Sequence, residues 1–505
     1  MKRTIVTQGS TIPRLPRRLA LPAVLAATLL AGCMVGPRYE RPQSAATASF
    51  KEGGEWKVAQ PREDLPRGNW WEMFGDARLN DLIGRVSISN QNLRVVEAQY
   101  RQAVAVADQA RAQLFPSVTA SASVSRGRSS ALVPSSPSSP PATTYSASGA
   151  VSWDADLWGK IRSTLAANEA SAQASAADLA SALLSAQTLL AQDYFALRIA
   201  DAQKGLLEET VKAYQTSYDL TVNRYKAGVA AKSDVVQAQT QLVSTQAAAI
   251  DVGVLRAQLE HAIAILTGVP PSEFKVDPEL LAVSIPEIPV SVPSVLLERR
   301  PDIAGSERRV AAANAQIGVA QAAYFPDLSL SATGGFRSFS FARWFELPSR
   351  FWSLGPTLAE TLLDFGLRDA QKAQAVAAWD ATVATYRQTV LTSFQQVEDN
   401  LAALRILEEE SRVQDEAVRL AREAVQLTIN QYKAGTVNYL NVITTQATEL
   451  TNENTAMVLL GRRLAASVLL VQAMGGGWAA DELPATRDDM EQKAAAQKAA
   501  LNASH

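Results

Sequence analysis

Asn223-Arg224-Tyr225-Lys226-Ala227-Gly228 and Asn430-Gln431-Tyr432-Lys433-Ala434-Gly435 close two long helical patterns 207 residues apart. Each is followed by a helix restart, Ser233-Asp234-Val235-Val236 with Gln239 in the first and Leu440-Asn441-Val442-Ile443 with Gln446 in the second, and the matched positions keep the same offset. A glycine just past the last periodic residue takes the left-handed conformation that ends a helix, and Ser233 or Asn438 supplies a side-chain oxygen for the next N-terminus. Both stretches read as tips of helical hairpins. The chain is therefore one helical unit used twice.

Working outward, the same plan recurs on both sides of each tip. Helical periodicity runs from 78 to 113 with a break at Ser89-Asn90 and stops before Phe115-Pro116. The period then becomes two: Val118, Ala120, Ala122 and Val124 alternate with Thr119, Ser121, Ser123 and Ser125, and Tyr145, Ala147, Gly149, Val151 and Trp153 alternate with Ser146, Ser148, Ser152 and Asp154. Serine on one face and thin apolar cover on the other favour a barrel wall around water over a soluble sandwich. The Pro- and Ser-rich run between them, 134–141, cannot pair in a sheet. Residues 160–227 are helical again, roughly 100 Å at 1.5 Å per residue, with an apolar seam in steps of three and four, and 234–266 runs back at half that length. In the second half Phe325-Pro326 repeats Phe115-Pro116 at an offset of 210. Strands are expected near 328–338 and 350–358 and helices at 367–434 and 439–474.

The division expected from this pattern is 1–32 as signal peptide, 33–77 as an extended N-terminal segment, 78–270 as the first repeat, 271–293 as an equatorial linker, 294–476 as the second repeat, and 477–505 as a disordered tail. Lys2, Arg3, Arg14, Arg17 and Arg18 precede a 14-residue apolar run, too short to span hydrocarbon as a helix. Its end, Leu30-Ala31-Gly32-Cys33, resembles the lipobox of bacterial lipoproteins, which implies that Cys33 is lipidated. Met34 follows instead of the aspartate that signals inner-membrane retention, implying the outer membrane. No later run of 18 apolar residues exists, so any membrane crossing is expected to be a closed β-barrel.

Composition excludes several functions. A net charge of −2 offers no field for nucleic acid, a single cysteine excludes an internal disulfide, and two histidines, His261 and His505, leave no material for a metal site or a histidine triad. His261 reads as a packed core histidine. No nucleophile, base and orienter assemble, so no catalytic residue, metal or cofactor is expected. A periplasmic adaptor or scaffold would share the coiled coils but not the paired strands in both repeats.

The lipobox, Gly36-Pro37-x-Tyr39-x-x-Pro42, Trp70-Trp71-x-x-Phe74, Arg300-Pro301-Asp302-Ile303, the two Phe-Pro strand starts and the doubled Tyr-Lys-Ala-Gly tips together resemble outer-membrane efflux lipoproteins of the TolC family, OprM-like branch. The resemblance implies a mainly α protein with a transmembrane β part: a homotrimer in which each protomer gives four strands to one 12-stranded β-barrel and its helices to a continuous α-barrel across the periplasm. It implies the outer-membrane duct of a tripartite efflux system for small molecules, with a periplasmic adaptor and an inner-membrane pump of the resistance-nodulation-division type as partners; the exit duct of a type I protein secretion system uses the same fold. The tips Tyr225, Lys226, Gly228, Tyr432, Lys433 and Gly435 would dock the adaptor. The family's gate often carries inward aspartates; here those positions are Asn441 and Thr444, beside Leu440, so a neutral or apolar constriction is expected. Asp234 is expected to bond across to neighbours such as Tyr432 and not to line the pore. Independently of the resemblance, four strands cannot close a barrel around water, so the protomer must oligomerise.

Overall fold

A computed structural model of the chain describes residues 34–44, 49–52, 68–128, 140–279, 285–286 and 299–484, and in the tail 489, 492, 495 and 496. The signal peptide, Cys33, most of the Pro/Ser run, much of the linker and most of the tail lie outside the described residues.

Among the described residues seven helices and four strands follow one another as α1 (Ala77–Ser89), α2 (Gln91–Ala112), β1 (Ser117–Gly127), β2 (Ala142–Ala155), α3 (Lys160–Lys226), α4 (Lys232–Leu266), α5 (Pro301–Ala322), β3 (Asp327–Ser338), β4 (Arg350–Ala359), α6 (Leu367–Ala434) and α7 (Tyr439–Ala473). The bounds of α4 and α7 differ by 207 at both ends, and those of α2 and α5 by 210. All the expected helices and strands are present within a few residues. Ser233, however, does not cap α4: Ala231 stands at the N-cap with no side-chain bond, and Ser233 lies inside the first turn. Asn438 does cap α7, accepting from the Asn441 amide. An alanine cap leaves the first-turn amides to water, which the exposed tip supplies.

Two compact units emerge, and each takes a share of both repeats. The first gathers the described residues up to 40 with 105–170 and 311–381, and the second gathers 41–104, 171–310 and the described residues from 382 on.

The first unit holds the sheet, antiparallel throughout in the order β1-β2-β3-β4. Ser117 faces Ser152, Ala155 faces Leu328 and Asp327 faces Ala359. The alternation read from the sequence sorts the residues onto two faces. One carries Val118, Ala122, Val151, Leu330, Leu354 and Leu358, and the other carries serines that bond across strands, Ser121 to Ser148 at 3.1 Å and Ser123 to Ser146 at 2.9 Å. At the base of the sheet Trp158 stacks on Phe325 at 4.7 Å and donates its indole N–H to the Pro326 carbonyl.

The second unit is organised on an aromatic corner. Trp70 and Trp71, in a short 3-10 turn, meet edge to face at 5.8 Å, and Phe74 packs on Phe195 at 5.0 Å. Their core continues through Leu79, Ile83, Val86, Leu190, Tyr194, Leu464 and Val468. Gly75 ends the turn and Asp76 caps α1, accepting from the Arg78 and Leu79 amides and from the Tyr194 hydroxyl at 2.6 Å. The described start of the linker is clamped by buried charge: Arg198 donates to the Asp277 carbonyl at 2.8 Å, and Arg256 pairs with Asp201 at 2.6 Å while reaching the Val276 carbonyl. Burying Arg198 and half-burying Arg256 is tolerable because each is paired and hydrogen-bonded. His261 is exposed, so the packed-histidine expectation fails. Helix α7 is long and apolar enough to cross a membrane by length and composition, which the run-length test on the sequence did not register. Its Leu464, Val468 and Val471 belong to the core, which accounts for that character.

Candidate functional site

The hairpin tips are built by helix-ending glycines. Gly228 and Gly435 have φ of 76° and 80°. At each, the glycine amide donates three residues back, to Tyr225 and Tyr432, and the next amide donates five residues back, to Arg224 and Gln431. This bond pair is the Schellman closure, which satisfies carbonyls that the helix end would otherwise orphan.

The two tips use identical residues differently. Tyr432 is buried, with Tyr439, Val442 and Ala238 forming a small core, whereas Tyr225 is 44% exposed. Lys226, Gly228, Lys433 and Gly435 are exposed. Arg224 joins the hairpins: its guanidinium carbon sits 4.7 Å over the Tyr432 ring and it donates to the Lys433 carbonyl at 3.1 Å. A cation in the last turn of α3 is in place to meet the carbonyl end of α6. The sequence reading passed over Arg224 because its repeat equivalent is Gln431; a basic residue in the last helical turn was the available signal. The expected bond from Asp234 to Tyr432 is absent: the Tyr432 hydroxyl lies 3.4 Å from Thr221 Oγ1 instead. Asp234 acts on Tyr439, whose hydroxyl is pushed up to about 12, first by burial and then by Tyr432, Tyr214 and Asp234.

Leu440, Asn441 and Thr444 are exposed at the start of α7, on a face that continues through Thr448 and Thr451 in steps of three and four. Thr444 Oγ1 donates to the Leu440 carbonyl and Thr448 Oγ1 to the Thr444 carbonyl. The hydroxyl protons are thus spent on the helix itself, and the face is neutral. Gln446 points the other way, buried, donating to Ser217 at 3.2 Å. Among the described residues no three His, Cys, Asp or Glu side chains gather as a metal site.

The sheet is the second functional element. Aromatic clusters stand at its two ends: Tyr145 with Phe341 and Trp344 at one, Trp153 and the Trp158–Phe325 stack at the other. Tyr145 and Trp153 are eight residues apart on β2, about 27 Å along the strand. With strands tilted by roughly 40°, that spans about 21 Å of height, close to the apolar band about 25 Å tall between the aromatic girdles of such barrels. Both sheet edges are unpaired among the described strands, and every residue of β1 is exposed.

Comparison with known proteins agrees with this architecture. Residues 82–269 and 292–476 match the Outer membrane efflux protein family. The chain is 31% identical to the probable efflux pump outer membrane protein TtgC of Pseudomonas putida, over 91% of this chain and 95% of that one. It is 31% identical to the pyoverdine export outer membrane protein OpmQ of Pseudomonas aeruginosa, over 92% and 99%. Among solved structures, the outer-membrane channel OprN superposes with a TM-score of 0.82 at 29% identity, covering 88% of this chain and all of that one.

Proposed function

Because this chain belongs to the outer membrane efflux protein family, and so is an outer-membrane efflux channel, we propose that it is the passive exit duct of a tripartite pump for small toxic compounds. The observation that carries the reading is the four-stranded sheet with two open edges. A sheet so exposed is unstable alone, and about eight strands are the least that enclose a barrel. Three copies related by cyclic symmetry supply twelve strands and abolish every edge. The apolar face then meets lipid and the serine face lines water.

The helices support the same assembly. Ile406, Val413, Leu420 and Leu427 stand exposed at heptad spacing on α6, as do Val236, Val243 and Ile250 on α4. Uncovered heptad seams are what neighbouring coiled-coil helices bury. In this trimer the tips dock a periplasmic adaptor, through exposed Tyr225 and the lysines Lys226 and Lys433, and the adaptor joins the duct to an inner-membrane pump of the resistance-nodulation-division type. The Leu440, Asn441 and Thr444 face forms a neutral constriction, with Asp234 behind it, and acylated Cys33 adds a lipid anchor. Small-molecule export accords with relatives named for toluene, antibiotic and pyoverdine efflux.

The test is deletion of the gene followed by growth on antibiotics, organic solvents, dyes and metal ions. Sensitivity restored by the intact gene supports the proposal. Unchanged growth on all of them, with loss of a secreted protein, would replace it with protein secretion.

A further inference from the structure

The internal repeat predicts the residues that meet where one copy joins the next, a step that rests on the trimer reading above. The first strand of each repeat is offset by 210 and the second by 207. These offsets carry Ser117 opposite Ser152 in the β1–β2 ladder onto Asp327 opposite Ala359 in the β3–β4 ladder. The two ladders therefore have the same register. The β2–β3 ladder joins the second strand of one repeat to the first strand of the next. At its base, Trp158 stacks on Phe325. Moved by the same offsets, Trp158 becomes Phe365 and Phe325 becomes Phe115. Both are exposed, Phe365 at 92% and Phe115 at 66%.

Phe365 is also the one described non-glycine residue with positive φ, at 52°. Asp364 holds this turn, accepting from the Gly366 amide at 3.1 Å and pairing with Arg368 at 2.5 Å. A bulky residue in the left-handed region is a true outlier, retained where its side chain has a use. Among the described residues of the protomer nothing covers the ring, which is left 92% exposed.

We infer that the open edges pair in the register of the β2–β3 ladder, and that Phe365 stacks on Phe115 of the partner subunit to lock the base of that seam. Val151 opposite Ala332 maps to Leu358 opposite Ala122 of the partner subunit, and Ala150 opposite Thr333 maps to Thr357 opposite Ser123 of the partner subunit. The first mapped pair is apolar on both sides and the second polar on both, so the faces match. A slip by one residue would put every side chain on the wrong face, so parity supports the register independently of the repeat.

Two experiments on the full-length protein in outer membranes test the seam. Thr357→Cys with Ser123→Cys should form covalent trimers on oxidation, while Thr357→Cys with Ser121→Cys or with Ser125→Cys should crosslink less. Strongest crosslinking in a shifted pair, with trimers intact, overturns the register alone. Absence of trimers before oxidation overturns the trimer reading and the seam with it. Asparagine tolerates the left-handed backbone, so Phe365→Asn removes strain together with the ring. Phe365→Asn and Phe115→Ala should each lower the temperature at which trimers dissociate, and the double variant should fall little below either one. A rise in Phe365→Asn, or full additivity, would make the two rings separate lipid anchors and overturn the stack.

Discussion

Arg224, at the end of one hairpin's long helix, sits over the ring of Tyr432 in the other, 4.7 Å from centroid to guanidinium carbon. With its bond to the Lys433 carbonyl it ties the first hairpin to the second. A cation–π contact of this kind contributes about 0.5–2 kcal/mol, enough to move an open-closed equilibrium roughly tenfold per protomer. Arg224→Ala should therefore raise the mean conductance of purified channels in planar bilayers, and Arg224→Lys, which lacks the planar fork, should lie between. Equal conductance in all three would mean that the contact does not hold the pore closed.

The Asp193 carboxyl on α3 is raised by burial to about 6. Its folded pKa exceeds the unfolded one, so the protonated form is the one the fold favours. The stability this confers is complete below about pH 4 and lost as pH rises through about 6. Because the carboxyl is partly open to solvent, Asp193→Asn should stabilise trimers at about pH 8 by on the order of 1 kcal/mol and leave them little changed at about pH 4. Thermal dissociation measured at both values decides it, and an equal effect at the two would refute the ionisation argument.

The paired tip glycines should tolerate no side chain. Both have positive φ, where a β-branched residue is strained, although a Cβ on Gly228 would meet nothing within 4 Å. Gly228→Val or Gly435→Val should distort the tips locally, leave trimers in the outer membrane and abolish drug efflux. Normal resistance in such strains would remove the tips from the docking surface.

The reading of the neutral face at Asn441 and Thr444 has a direct electrical consequence. Unit charges about 4 Å apart interact at roughly 4 kcal/mol at an effective dielectric of about 20, so three crowded carboxylates hold multivalent cations where three amides do not. Wild-type channels should be only weakly blocked by trivalent cations, and Asn441→Asp should create a tight block. Tight block in the wild type with no change in the variant would move the constriction elsewhere.

How far the sequence alone reached follows from what repeats leave visible. Gly228 and Gly435 were legible because only one conformation ends a helix that way, and Ser121 and Ala122 because a strand's period is two. The closure at the C-terminus of each return helix was not. Asn90 and Arg300 do the same work there, donating to the last carbonyls of α4 and α7, Leu266 at 2.9 Å and Ala473 at 2.8 Å. They lie 210 residues apart, but an amide and a guanidinium share no letter, so the equivalence shows only in space. Tyr432 lies on the expected helix but meets Thr221 instead of Asp234, because both lie on adjoining elements and only packing chooses between them.

The central claim is that the sheet of each protomer is a third of a membrane-spanning barrel, with the acyl group on Cys33 an auxiliary anchor. Each buried acyl CH₂ contributes about 0.8 kcal/mol, small beside a whole barrel in lipid. The most direct measurement is fractionation of cells making Cys33→Ser behind a cleavable signal. The account predicts trimers in the outer membrane, extracted only by detergent; folded protein soluble in the periplasm would contradict it.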